Sequence, residues 1–86
     1  MIKILDFYAN WCQPCKQLAP ILTQIEEEFD WVTIEKIDIE ENDDAVFKYQ
    51  IMNIPTLIIF KDDVQVDKIV GMTSKSKLLD ILNKHS

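Results

Sequence analysis

A mixed β-sheet flanked by helices, in the α/β class, is what this sequence predicts, and three observations carry that reading. Apolar periodicity switches between strand and helix spacing in the order β-α-β-α-β-β-α. Residues 56–60, TLIIF, form a fully apolar run just after Pro55, as a central strand buried on both faces requires. The chain has 86 residues, which suits one domain, 1–86, with one marginal core. The order gives a four-stranded mixed sheet, its first two strands parallel and its last two antiparallel.

Each element has its own justification. Residues 2–8, IKILDFY, alternate as a strand, with Leu5 and Phe7 on one face and Ile2, Ile4 and Tyr8 on the other. Asp6 falls on the Ile2/Ile4 side, so its carboxylate is either at an edge or buried. The stretch Asn10-Trp11-Cys12-Gln13-Pro14-Cys15 opens a helix, and Pro14 suits a first turn because its missing N–H costs nothing there. Leu18, Ile21, Leu22, Ile25 and Phe29 continue at helical spacing, and Pro20 inside that pattern predicts a kink.

Val32–Ile39 alternates as a second strand carrying Val32, Ile34 and Lys36 on one side. Asn42 is the expected N-cap of a short helix through Tyr49, with Ala45, Val46 and Tyr49 turned inward. Lys61-Asp62-Asp63 forms a turn into a hairpin strand, Val64–Val70, which Gly71 ends. Ser74 caps a last helix whose Leu78, Leu79 and Leu82 cover the sheet. Trp31 reads as packing at the helix–strand turn.

Composition excludes several classes. Fifteen Asp and Glu face nine Lys and no Arg, for a net charge of −6. Phosphate recognition wants clustered basic side chains and base readout wants Arg, so no nucleic acid is expected as a partner. No apolar stretch approaches the ~20 residues of a membrane span, and Asp6 interrupts the short apolar N-terminus, so neither a membrane segment nor a signal peptide is expected. The chain is therefore read as cytoplasmic, where disulfides are usually catalytic or redox-sensing. Glycine occurs once, at Gly71, so the turns must be made with Asn, Asp and Pro.

Cys12 and Cys15 are the only cysteines, and they directly follow a strand. A zinc site needs four ligands, and the lone His85 near the C-terminus supplies no set, so no metal is expected. A structural disulfide closing so short a loop removes little unfolded-state entropy. A redox pair is the reading that survives. At a helix N-terminus the first sulfur faces free N–H groups and the positive end of the helix dipole, which lower its pKa and favour the thiolate. The second sulfur, one turn in, is expected to be the more buried.

At these residues the sequence resembles the thioredoxin family. LDFYANWCQPCKQLAP is similar to the family's active-site stretch, with Trp11, Cys12, Pro14, Cys15, Lys16 and Pro20 in the family's positions. NIPTLIIFK resembles the segment in which a cis-proline, here Pro55, faces the cysteines, and Val70-Gly71 before a capped helix is similar to the closing segment. The resemblance runs from about Ile4 to Lys84. It implies a thioredoxin-like fold and a protein-disulfide reductase with no cofactor beyond its own Cys12–Cys15 couple. It also implies regeneration by an NADPH-dependent flavoprotein of the thioredoxin-reductase type. Asp6 matches the family's buried carboxylate and Lys36 the lysine near it.

The residues then compose a mechanism. Cys12 thiolate attacks a client disulfide, and Cys15 resolves the mixed disulfide after losing its proton to Asp6, whose burial raises its pKa while Lys36 lowers it. Trp11, Pro14, Ile54, Pro55, Gly71 and Met72 are the expected substrate-binding residues, with the Ile54 backbone pairing to an extended client.

Three departures stand out. Gln13 replaces the usual glycine between the cysteines and carries no charge, which argues for a reductant near roughly −270 mV. The Asp62-Asp63 turn lacks a glycine. The family usually begins with an extra strand and helix, whereas this sequence begins at the strand carrying Asp6. A short form with strand 32–39 as an edge is therefore expected, protected by Glu35 and Lys36. A monomer is expected, with edge-to-edge dimerisation as the alternative. Two other functions compete: a glutaredoxin-like, glutathione-dependent reductase, and a non-catalytic partner subunit with the same fold.

Overall fold

The structure is a computed structural model and describes residues 1–86. Strand β1 (Ile2–Tyr8) lies inside a four-stranded sheet of order β2-β1-β3-β4, with β2 (Val32–Asp38) and β4 (Val64–Val70) at its edges and β3 (Thr56–Lys61) beside β1. β1 and β2 are parallel, with Ile2 opposite Val32 and Asp6 opposite Lys36. β1 pairs antiparallel with β3, and β3 with β4. The expected strand directions all hold, and the two central strands are the most apolar, since both of their faces are covered.

Helix α1 (Gln13–Glu28) crosses between β1 and β2, and α3 (Lys75–His85) follows β4. Both lie on one face of the sheet. There Ile2, Ile4, Leu57 and Ile59 meet Leu18, Leu22 and Ile25 of α1 and Leu78 and Leu82 of α3 in the main core. Ser74 caps α3 as its sequence predicts, its Oγ accepting the Lys77 N–H at 3.1 Å. α1 runs without interruption through Pro20, which withholds the N–H that the Lys16 carbonyl would otherwise accept.

The opposite face carries a smaller cluster, Leu5, Phe7, Ile37 and Ile58, under helix α2 (Asp43–Lys48). With its cap residues α2 runs from Asn42 to Tyr49 as expected, but it departs from expectation in its burial and its N-cap. It has six residues and none of them is fully buried; Ala45, Val46 and Tyr49 are half-buried, and Phe47 is 87% exposed. Asn42 occupies the N-cap position without capping: its side-chain amide donates to the Asp38 carbonyl at 2.9 Å instead. The helix N-terminus is served by the charges of Asp43 and Asp44 in its first turn. Trp31 packs on Phe29 at the α1–β2 turn, ring centroids 5.6 Å apart, in the packing role its sequence suggested.

Candidate active site

β1 delivers the chain into the N-terminus of α1, and the two cysteines sit at that junction. Cys12 is the N-cap residue, and its Sγ accepts the Cys15 N–H at 3.3 Å, so a sulfur occupies the position where helices usually place a hydroxyl or carboxylate. The first turn of α1 contains no acidic residue, so no side-chain carboxylate competes with a sulfur anion for the helix N-terminus. Cys12 and Cys15 are joined in a disulfide, with Cα atoms 5.3 Å apart. The expected difference in burial is not seen in this oxidised state. The two residues are 5% and 6% exposed, because both sulfurs are shared by one apolar cluster with Ala9 that Tyr8, Ile39 and Ile54 close over.

The Ile54–Pro55 peptide bond is cis. Two hydrogen bonds fix this turn: the Thr56 hydroxyl donates to the Asn53 carbonyl at 2.6 Å, and the Gly71 N–H donates to the Pro55 carbonyl at 2.8 Å. The second bond ties the Pro55 turn to Gly71, just after β4; Pro55 itself is buried, and of this group Ile54 packs against the cysteine cluster. Gly71 has φ +88, a backbone region that only glycine enters without strain. Trp11 is 66% exposed and Met72 47%, while Pro14 stands exposed in the first turn of α1.

Behind the disulfide, Asp6 is buried at 4% exposure, so of the two placements open to it the structure shows the interior one. Desolvation raises its pKa from 3.8 to about 6, against the opposing pull of the Lys36 ammonium. Asp6, Cys15 and Lys36 line a cavity of about 150 Å³. The cavity also brings in Tyr8, Asn10 and Lys16, to which the sequence reading gave no role there. Tyr8 was legible as a neighbour, since it sits two residues from Asp6 on the same strand face. No group of three or more His, Cys, Asp or Glu side chains is arranged to hold a metal ion. No helix is long and apolar enough to cross a membrane.

A cysteine couple set at a helix N-terminus beside a central strand cycles between dithiol and disulfide, so fold and site together define a thiol–disulfide oxidoreductase. Comparison with known proteins narrows that class. The family model described as Thioredoxin matches residues 1–84. Thioredoxin from Staphylococcus epidermidis is 46% identical over 85 residues, covering 98% of this chain and 82% of the relative. Thioredoxin from Staphylococcus aureus is 44% identical with the same coverage. Among solved structures, a mutant thioredoxin from Halobacterium salinarum superposes with a TM-score of 0.92 at 34% identity, covering 98% of this chain and 74% of its own. Fasciola hepatica thioredoxin gives a TM-score of 0.90 at 32% identity, covering 99% and 81%. The chain belongs to the thioredoxin family and is a protein-disulfide reductase.

Proposed function

We propose that the single domain 1–86 reduces protein disulfides with Cys12 as nucleophile, Cys15 as resolving thiol and Asp6 as the base. Cys12 thiolate attacks one sulfur of the client disulfide; a Cys12–client bond forms and the other client sulfur leaves as a thiolate. Cys15 then gives its proton to Asp6 and attacks Cys12 Sγ. The Cys12–Cys15 disulfide forms, the second client sulfur is released, and two electrons have passed to the client. The observation that carries this reading is Asp6: it shares a cavity with Cys15, and its pKa of about 6 sits near the range in which a carboxylate both accepts and returns a proton at neutral pH. Lys36, opposite Asp6 in the register, keeps that pKa from rising further.

Trp11, Pro14, Ile54, Pro55, Gly71 and Met72 bind the client. Their apolar, shallow character suits many unfolded or loop-borne disulfides and selects sharply among none. The oxidised couple returns to the dithiol at the expense of an NADPH-dependent flavoprotein reductase. The protein works as a monomer in the cytoplasm.

Dithiol-driven reduction of a disulfide protein tests the scheme. Cys12→Ser abolishes turnover, and Cys15→Ser traps a covalent client adduct that added dithiol releases. Unchanged biological activity in both variants sinks the catalytic reading in favour of a partner-subunit role. A couple potential above about −200 mV, where isomerases and oxidants lie, overturns the assignment as a reductant.

A further inference from the structure

Tyr8 takes no part in the sulfur chemistry, yet its ring stands against the ammonium that bears on Asp6. Lys36 Nζ lies 5.5 Å from the centroid of the Tyr8 ring, within the distance at which a cation is drawn to an aromatic face. Asp6 and Tyr8 are two residues apart on β1 and project from the same face of the sheet. Lys36 is the register partner of Asp6 on β2 and projects there too. All three line the cavity that reaches Cys15.

Lys36 lies on an edge strand and is exposed, and a lysine is a compact charge on a flexible four-carbon stem. Such a group disperses into water unless something holds it. The ion pairs of the surface, at the Met1 amino group, Lys3, Lys75 and His85, do not include it. The Tyr8 ring is the partner it has.

We propose that Tyr8 is a positioning residue whose ring face holds the Lys36 ammonium over the cavity shared by Asp6 and Cys15. Tyr8 thereby sets the charge under which Asp6 exchanges its proton, and this part rests on the reading of Asp6 as the base. The other groups facing the site do not replace Lys36. Lys16 lines the cavity from α1, but Lys36 is the cation whose charge bears on Asp6. β3 presents apolar Leu57 opposite Asp6, and the Asp38 carboxylate two residues along β2 accepts the Glu40 N–H at 2.9 Å. The disulfide carries no charge.

Carboxyl NMR titration of Asp6 in the oxidised protein, in a double-mutant cycle, tests this. Tyr8→Leu raises the Asp6 midpoint by a few tenths of a pH unit, and by no more than Lys36→Met raises it. Tyr8→Phe, which keeps the ring face, leaves the midpoint in place. In the Lys36→Met background Tyr8→Leu adds nothing. The proposal is overturned if Tyr8→Leu leaves the midpoint unmoved, if it moves it equally without Lys36, or if Tyr8→Phe moves it as much.

The unaltered protein supplies a check that needs no variant. Proton cross-peaks between the Lys36 ε-methylene and the Tyr8 ring support the contact, and their absence overturns it. The pH profile of release from the Cys12–client adduct separates the two readings. A midpoint that shifts while that profile stays put upholds Tyr8 as positioning Lys36 and removes Asp6 from the base role.

Discussion

Asp6 is a carboxylate held where ionisation is opposed, and the pH dependence of stability follows with a definite sign. Its pKa is raised from 3.8 to about 6 in the folded chain. The folded state therefore binds the proton more tightly than the unfolded one, and stability from this group is full below about pH 4 and is lost as pH rises through 6. Two pH units correspond to roughly 3 kcal/mol. Asp6→Asn removes the titration while keeping the shape. At pH 8 it should raise unfolding stability by about 2–3 kcal/mol and flatten the slope between pH 4 and 6, as read by urea denaturation across pH. In the scheme above the same change slows release of the mixed disulfide. Asp67 works in the opposite sense. The Lys68 backbone N–H and the His85 ring lower its pKa, so its contribution is present at neutral pH and is lost on acidification.

At the scale of the element, the shortage of glycine becomes a set of strained positions. Helix α2 ends in a pair of hydrogen bonds from Gln50 N–H to the Phe47 carbonyl (3.2 Å) and from Ile51 N–H to the Val46 carbonyl (2.9 Å), with Gln50 at φ 53. Those are the two bonds of a Schellman ending, in which the residue at positive φ is usually glycine. The β3–β4 hairpin turns through Asp62 and Asp63 at φ 49 and 70, the signature of a two-residue type I′ turn, which favours glycine at its second place. Gln50→Gly and Asp63→Gly should each stabilise the protein by roughly 0.5–1 kcal/mol, net of the freedom glycine adds to the unfolded chain. Because the two positions belong to separate turns that share no hydrogen bond, thermal denaturation of the double variant should show close to the sum.

These turns also mark what the sequence disclosed. α1 and α3 were legible because each buries one patterned face, β1 and β3 because they are largely apolar runs covered on both faces, and Ser74 capped as its type suggests. The capping and shallow burial of α2 were not, because Asn42 spends its amide on Asp38 and the helix covers its face of the sheet thinly. At the site, Cys12 and Cys15 were legible from spacing. Tyr8 was legible as a neighbour of Asp6 from strand periodicity, but Asn10 and Lys16 were not, because the cavity joins that strand to a loop and a helix.

Across the whole molecule the sheet divides the core unequally. The α1/α3 face buries ten residues in one cluster and the α2 face four. Leu78→Ala, with its side chain fully buried on the larger side, should cost about 3–4 kcal/mol, whereas half-buried Val46→Ala on α2 should cost about 1 kcal/mol or less. In a chain this small the first is a large share of the total stability. Hydrogen exchange should follow the same asymmetry. Amides of β1 and β3 exchange only by global unfolding, and those of α2 exchange early through local opening. Equal protection of α2 and β3 would count against this division of the core.

The placement of the two indoles has a spectroscopic consequence. Trp11 follows the end of β1 that carries the cysteines, and Trp31 precedes Val32, the register partner of Ile2 at the other end. A seven-residue strand separates them, about 20 Å. Trp11 is open to solvent and Trp31 half-buried against Phe29. With Trp31→Phe, the emission of the remaining indole reports whatever covers the sulfur-bearing end. With Trp11→Phe, it reports only whether the far end is folded. The protein thus carries two separable optical gauges, one for encounter with a client and one for the integrity of the scaffold, without any attached dye.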